Sequence, residues 1–527
     1  MTTFDHLGLS PDEPVTPPAP PAPPAPPAPP VPVSVAVLAP APASASADAG
    51  GARRLLVRLH FYAGVLVAPF LVVAALTGLA YTLTPQLDEL VYADELHVER
   101  VGTNPRPLAE QVVAARAVHP EGSVAAVLPA DAADRTTRVV LDVPGLGDDK
   151  QRTVYVDPYT GQVRGALTTW WGSTPLTTWL DDLHRNLHLG TLGRNYSEAA
   201  ASWLWVVVGG GVVLWVLRRR SARRLRRVLL PDLAARGRRR TMAWHGSIGI
   251  WLVLGLLFLS ATGLTWSRNA GAHFSSALDA LHAHAPELDT TLPVPASSPG
   301  PASSPGPGPV ADPQHAGHVM TDGGTTPADS TTDHGEAGIT GQLDRVLATA
   351  RAGGLDGPVE IDLPAEPGVA WSVAQTDKLW PVRLSQVAID PADGRIVSQA
   401  DWADYPLLAK LTKLGIAAHM GLLFGLANQV LLASLMVGLL CVIIWGYRMW
   451  WQRRPLRDDR RAPVGPAPAR GTWRGLPRPV LVVGVVLTAA VGWALPVLGV
   501  TLLAFLMFDV AVGVVRRTRQ RGGATPA

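Results

Sequence analysis

One spaced pattern occurs twice in this chain and limits what the chain can fold into. His60 to Leu79 reads H-FYA-G-VLVAPFLVVAAL-TGL, and His245 to Leu264 reads H-GSI-G-IWLVLGLLFLSA-TGL. Both fit H-x3-G-x12-T-G-L without a gap, and both continue as apolar runs. A helix needs about 20 apolar residues to cross a hydrocarbon core. Self-similarity of this kind marks an internal duplication. Each half therefore opens with a histidine at the mouth of a membrane helix.

Charge placement orients the spans. Arg53, Arg54 and Arg58 precede the first run, eleven arginines lie between Arg218 and Arg240, and six lie from Arg448 to Arg461. Basic residues collect on the cytoplasmic side of membrane proteins, so the first span runs from inside to outside. Between two spans, the Arg-rich segment is topological rather than a nucleic-acid patch, and no nucleic-acid partner is expected. The resulting order is a Pro-rich disordered cytoplasmic tail (1–52), a first span (53–84), an outside domain (85–182) and a second span (183–218). A basic cytoplasmic loop (219–243), a third span (244–267) and a second outside domain (268–412) follow. That domain holds a disordered Pro/Ser/Gly/Thr-rich insert (286–338) with His315, His318, Met320 and His334, which read as solvated side chains. A fourth span (413–448), a cytoplasmic loop (449–478), an apolar stretch (479–515) and a cytoplasmic tail (516–527) complete it. Pro496 and arginines at both ends of 479–515 favour two short helices with a turn near Trp493–Pro496, with one kinked helix as the alternative. Asp509 within it should face protein, because intramembrane acids are costly.

The two outside domains share a pattern. Each has a helical stretch (108–118; QLDRVLATARAG from Gln342) followed by strand-like runs. Each carries an Asp-Pro turn, D-P-Y-T-G at Asp157–Gly161 and D-P-A-D-G at Asp390–Gly394, with the glycine available for positive φ. Several chemistries are excluded. Cys441 is the one cysteine, so there is no disulfide framework, no zinc cysteine cluster and no C-x-x-C-H for covalent haem. No G-x-G-x-x-G opens a soluble strand–helix unit, which argues against an in-chain flavin or nicotinamide domain.

These features together resemble the PepSY-associated transmembrane (PepSY-TM) family. The paired H-x3-G-x12-TGL helices, DLHRNLHLGTLGR (182–194), AHMGLLFG (418–425) and the two small domains with D-P-x-x-G turns carry the resemblance over about residues 53–515. It implies a mainly α membrane protein: a duplicated helix-pair bundle of about six transmembrane helices with two small α+β PepSY-like extracytoplasmic domains. It also implies a multi-pass protein of a bacterial cytoplasmic membrane with both termini cytoplasmic, related to iron-regulated, haem-containing ferric-siderophore reductases.

Neutral imidazoles near helix ends are good axial ligands for haem iron. His60 and His245 lie at the cytoplasmic mouths of spans one and three, whereas His184, His188 and His419 lie near the outside mouths of spans two and four. Opposite mouths are about 30 Å apart, so the consistent arrangement is two b-type haems, one per leaflet. His184 and His188 stand four apart on one helical face, and either can align with His419; the family pattern favours His184. Gly64 and Gly249 would admit either a helix or a porphyrin. TGL reads as a packing motif, and Arg58, Arg185 and Arg240 are candidates for propionates. The expected activity is haem-dependent electron transfer to ferric iron in a chelate or siderophore at the outer face, with no catalytic triad. The donor would be a quinol or a separate flavoprotein, and membrane lipid is the remaining partner. A non-enzymatic PepSY sensor, scaffold or protease regulator is the alternative. A transporter is disfavoured by the scarcity of intramembrane charge.

Overall fold

The computed structural model describes residues 44–147, 149–170, 172–219, 229–292, 336–364, 366, 368–452 and 478–522. The Pro-rich stretch 1–43, residues 220–228 of the basic loop, the insert 293–335 with its histidines, and the arginines from 453 to 461 lie outside the described residues. Among the described residues, five helices are long and apolar enough to cross a membrane. These are α1 (Ser44–Thr82), α6 (Gly190–Arg219), α7 (Gly237–Leu264), α11 (Leu426–Trp451) and α13 (Pro496–Gly522). The expected sixth span is α12 (Arg478–Ala494), a shorter apolar helix of 17 residues. The expected turn is present: Leu495 separates α12 from α13, and Pro496 opens the latter, where its missing N–H costs nothing.

Three boundaries differ from expectation. Helix α1 begins at Ser44, inside the stretch expected to be tail. The second span does not contain His184. A separate helix, α5 (Pro175–Asn186), ends there, and Leu187 and His188 take left-handed backbone (φ 55° and 54°) before α6 starts. Likewise the run from Gly415 is not one helix: α10 (Leu407–His419) stops, residues 420–425 turn with Gly421 and Gly425 at positive φ, and α11 follows. In both halves a short helix therefore delivers a histidine to the end of a span.

The spans pack through small and branched residues. Ala63, Val67, Leu71 and Ala75 of α1 meet Ala200, Trp203 and Leu204 of α6, Leu252 and Leu256 of α7, and Leu432, Leu435 and Leu439 of α11 in one core. Helix α7 packs against both α6 and α11.

Outside the spans stands a sheet. After the short helices α2 (Thr84–Val91) and α3 (Ala93–Leu96) and the longer α4 (Leu108–Val118) come strands β1 (Ser123–Leu128), β2 (Thr137–Asp142), β3 (Lys150–Val156) and β4 (Val163–Trp170). The second half supplies α8 (Arg268–Ala280), α9 (Glu336–Ala352), β5 (Val359–Asp362), β6 (Trp371–Gln375), β7 (Gln386–Ile389) and β8 (Ile396–Ala400). Both Asp-Pro turns form as expected. Asp157 Oδ1 accepts from the Tyr159 and Thr160 amides, Asp390 Oδ1 accepts from that of Ala392, and Gly161 and Gly394 take φ 73° and 76°.

The two expected small domains are not separate. Their strands form one antiparallel sheet of order β4-β3-β2-β1-β5-β6-β7-β8. Its seam pairs Ala126 with Asp362 and Val127 with Ile361. Helices α4 and α9 lie together over one face, and Val112, Ala115, Leu343 and Val346 share a core with Val127, Val139, Ile361 and Val373. The Asp344 carboxylate of α9 caps α4 by accepting from the Leu108 and Ala109 amides at 2.9 and 3.3 Å. The physical reason is edge satisfaction: a four-stranded sheet leaves β1 or β5 with unpaired main-chain groups, and each supplies the other's partner.

Candidate functional site: two facing pairs of histidines

The spans bring four of the five candidate histidines together as two pairs. His60 of α1 and His245 of α7 face each other with ring centroids 6.3 Å apart at an interplanar angle of 77°. His184 of α5 and His419 of α10 face each other at 6.5 Å and 51°. The first pair is distal to the sheet and the second is on the sheet side. The rise of an α-helix, about 1.5 Å per residue, puts them about 25 Å apart along α1.

Each imidazole is held by Nδ1, and corresponding positions of the two halves do the holding. In the distal pair, His60 Nδ1–H donates to the Val207 carbonyl of α6 at 2.9 Å, and His245 Nδ1–H donates to the Val442 carbonyl of α11 at 2.9 Å. Four residues past each carbonyl is a glycine, Gly211 or Gly446. A Cβ there would stand 3.1 Å from the His60 ring or 3.7 Å from the His245 ring. In the sheet-side pair, Thr77 Oγ1 lies 2.9 Å from His184 Nδ1, and Thr262 Oγ1 lies 2.7 Å from His419 Nδ1. Each threonine hydroxyl donates to its own helix, to Val73 O at 2.9 Å and Phe258 O at 2.8 Å. The hydroxyl proton is thereby engaged, so its oxygen accepts from Nδ1–H. Gly78 and Gly263, next in each TGL, leave room for the rings: a Cβ would come within 3.1 Å of His184 or 3.4 Å of His419.

The TGL motif, read from sequence as packing, thus also orients the sheet-side imidazoles. The Val-x3-Gly carbonyls of α6 and α11 were missed. Their signal, V-V-G-G-G at 207–211 and V-I-I-W-G at 442–446, is indistinguishable by sequence from an ordinary glycine packing face.

His188 does not share a helical face with His184, contrary to the expectation from their spacing. The helix carrying His184 ends between them, and His188 is exposed, with its ring 5.1 Å from that of Trp179. Gly64 and Gly249 stand one turn beyond the distal histidines, and a Cβ on either would meet nothing within 4 Å, so neither is a helix-packing contact. Arg58 is buried and pairs with Asp509, which confirms that this acid faces protein. Arg240 is exposed. Arg185 pairs with Asp181 at 3.5 Å and Asp182 at 3.2 Å.

A cavity of about 200 Å³ opens beside the sheet-side pair. His184, His419, Gly78 and Gly263 line it, Asp181, Arg185, Arg194 and Glu198 give it a part of mixed charge, and Leu71, Leu204, Leu256 and Leu439 make its apolar walls. Both histidines here stand outside the five spans. Burial pushes His184 down to about 4; burial, with the His184 ring beside it, pushes His419 to about 3. Both rings are therefore neutral at pH 7, the form in which nitrogen can bind a metal.

The donor set bears on which group these residues would suit. Among the described residues no cluster of three or more His, Cys, Asp or Glu side chains could hold a bare metal ion. Two facing imidazoles instead suit an iron whose other four positions come from a macrocycle. Nitrogens bonded at about 2 Å on opposite sides of one first-row metal put the ring centroids about 6 Å apart. Both pairs match that span, and with Nδ1 engaged in all four, Nε2 remains to bind. The outer hydrogen bond fixes tautomer and ring direction, as at other histidine–metal sites.

Fold and site together define a class: a multi-pass membrane protein that carries an extramembrane sheet and holds two histidine pairs across its helices. Within that class the chain belongs to the PepSY-associated TM region family, which it matches over residues 57–453. No curated protein matches it.

Proposed function

We propose that this protein carries electrons across a bacterial cytoplasmic membrane through two b-type haems and delivers them to chelated ferric iron, such as a ferric siderophore, at the outer face. His60 and His245 would hold the haem nearer the cytoplasm, and His184 and His419 the outer one. The observation that carries this reading is the pair of centroid distances, 6.3 and 6.5 Å, each with both Nδ1 atoms engaged. The arginines at the sheet-distal helix ends favour a cytoplasmic location for that side and for both termini, which puts the sheet outside. The matched contacts in the two halves support an internal duplication.

Bound haem supplies a one-electron Fe(III)/Fe(II) couple at each pair. The chain's own residues do the rest. Val207, Val442, Thr77 and Thr262 hold each ring by Nδ1–H and keep Nε2 basic. Leu71, Leu204, Leu256 and Leu439 give the sheet-side site apolar walls, where an apolar macrocycle would lie. Arg185 and Arg194 line the same cavity beside the carboxylates of Asp181 and Glu198. Ferrous iron binds oxygen chelators more weakly than ferric iron, so reduction would release the metal. The cytoplasmic-side donor would be a quinol or a separate flavoprotein.

The test is a visible spectrum with haem quantitation on protein purified from haem-replete cells. Two haems per chain with a reducible Soret band and a bis-imidazole α band are expected. A colourless protein ends the reading.

A further inference from the structure

The sheet meets the spans at a joint. The β6–β7 connection folds onto the 420–425 turn: the Trp380 amide donates to Leu423 O at 2.8 Å, and the Trp380 and Phe424 rings lie 6.1 Å apart. Val382, Ala417 and Leu423 are buried beneath, with Leu384, Trp402 and Leu414 around them. The outside of this joint is apolar. Leu379, Trp380, Phe424 and Leu426 are each more than half exposed. A contiguous apolar patch of this kind is unfavourable in water and marks a contact surface.

Continuity identifies what the patch contacts. Leu426 is also the first residue of α11, and exposed Val430, Val437 and Ile444 carry the same face down that span. On a membrane helix such an exposed apolar stripe is the lipid face. Leu407 and Leu411, one turn apart on α10, are exposed apolar residues as well. Charge is complementary too. Lys378 is exposed beside Leu379, and Lys413 on α10 is half-buried. Burial and the nearby Lys378 ammonium pull Lys413 down to about 8; desolvation lowers Lys378 as well, against the Glu360 carboxylate, which raises it. Lys410 is committed to the Ala403 carbonyl at 2.6 Å. Two neighbouring ammonium groups at the rim of an apolar patch suit an anion between them.

We propose that this joint is seated in the bilayer interface, with Leu379, Trp380 and Phe424 among the upper acyl chains and Lys378 and Lys413 on the phosphate of an anionic phospholipid. Tryptophan favours that depth because its ring is amphipathic, and lysines favour an anionic surface. Lipid would then help to hold the 420–425 turn, which follows His419 directly. The inference does not depend on the proposed electron transfer.

The test uses the full chain in nanodiscs with Cys441→Ser, so that one introduced cysteine can carry an environment-sensitive fluorophore. A label at Leu379→Cys should be blue-shifted, quenched by nitroxide near the lipid headgroup and protected from aqueous iodide. A label at Asp142→Cys, exposed on β2, should behave oppositely. A Leu379 label open to iodide and untouched by lipid nitroxide overturns the seating. Lys413 acetylation, read by mass spectrometry, separates the anion sources. Protection in phosphatidylglycerol discs, absent in phosphatidylcholine discs and not supplied by inorganic phosphate in micelles, is expected. Equal labelling in both discs, or protection by phosphate alone, refutes the headgroup assignment.

Discussion

Replacing Thr77 by valine tests the sheet-side site at one atom. Valine keeps the shape of threonine and removes the hydroxyl. Two hydrogen bonds are lost, of unequal weight. The bond donated to Val73 O is spare, because that carbonyl lies inside a helix and already has a backbone donor. The bond accepted from His184 Nδ1–H at 2.9 Å is not, because Thr77 is only 8% exposed and no water replaces it readily. An orphaned buried N–H costs about 1–3 kcal/mol. Loss of such an outer hydrogen bond at a metal site weakens metal binding by about 10–100-fold. Haemin titration of the haem-free chain, followed at the Soret band, should show one site weakened by that factor and the other unchanged, since the distal pair is about 25 Å away. The outer midpoint potential should rise, because an imidazole that no longer donates from Nδ1 is a poorer electron donor and stabilises ferric iron less. Thr262→Val should act alike through His419. A Thr77→Val protein with wild-type affinity and potential would refute the role given to TGL.

Other outcomes follow from the same geometry. His60→Ala or His245→Ala should each halve the haem per chain, measured as pyridine haemochrome, while His188→Ala should leave it at two. Asp509→Asn leaves the Arg58 guanidinium, 8% exposed, without its carboxylate. Breaking a buried pair costs about 3–5 kcal/mol, and the 27% exposure of Asp509 favours the low end. Thermal unfolding in micelles should show a lower Tm that Arg58→Gln partly restores. For pH, the sign follows from His184, which takes up a proton at about 6.5 when unfolded but only at about 4 when folded. Its contribution is intact above pH 6.5 and is lost as pH falls towards 4, with the loss for His419 running on to about 3. The haem-free chain should therefore melt at lower temperature as pH falls through that window, with a shallower slope in His184→Gln.

Much of this was legible because membrane helices leave long, unambiguous records. The H-x3-G-x12-TGL repeat put His60 and His245 on two matching spans, and the apolar stretch 479–515 divided at Leu495 as Pro496 indicated. The breaks before α6 and α11 were hidden for different reasons. Leu187 and His188 adopt left-handed backbone without glycine, so nothing in their side chains announces a helix end. Gly421 and Gly425 do announce one, but they sit in an apolar run that reads equally well as uninterrupted helix. The holding carbonyls of Val207 and Val442 could not be read at all, because every residue has a carbonyl and only packing selects one. The union of the two sheets was hidden because strand pairing between segments so distant in sequence follows from edge geometry, and both β1 and β5 carry ordinary β-branched residues.

The β1–β5 seam has a consequence for how the chain can be divided. A fragment ending before β5, or one beginning after β4, would present a bare strand edge flanked by half of a shared core. Such an edge recruits whatever backbone is nearest, usually another copy. The halves should therefore be soluble in detergent only when made together, and complementation between co-expressed fragments, rather than trimming to a minimal unit, is the practical route to dissecting this protein.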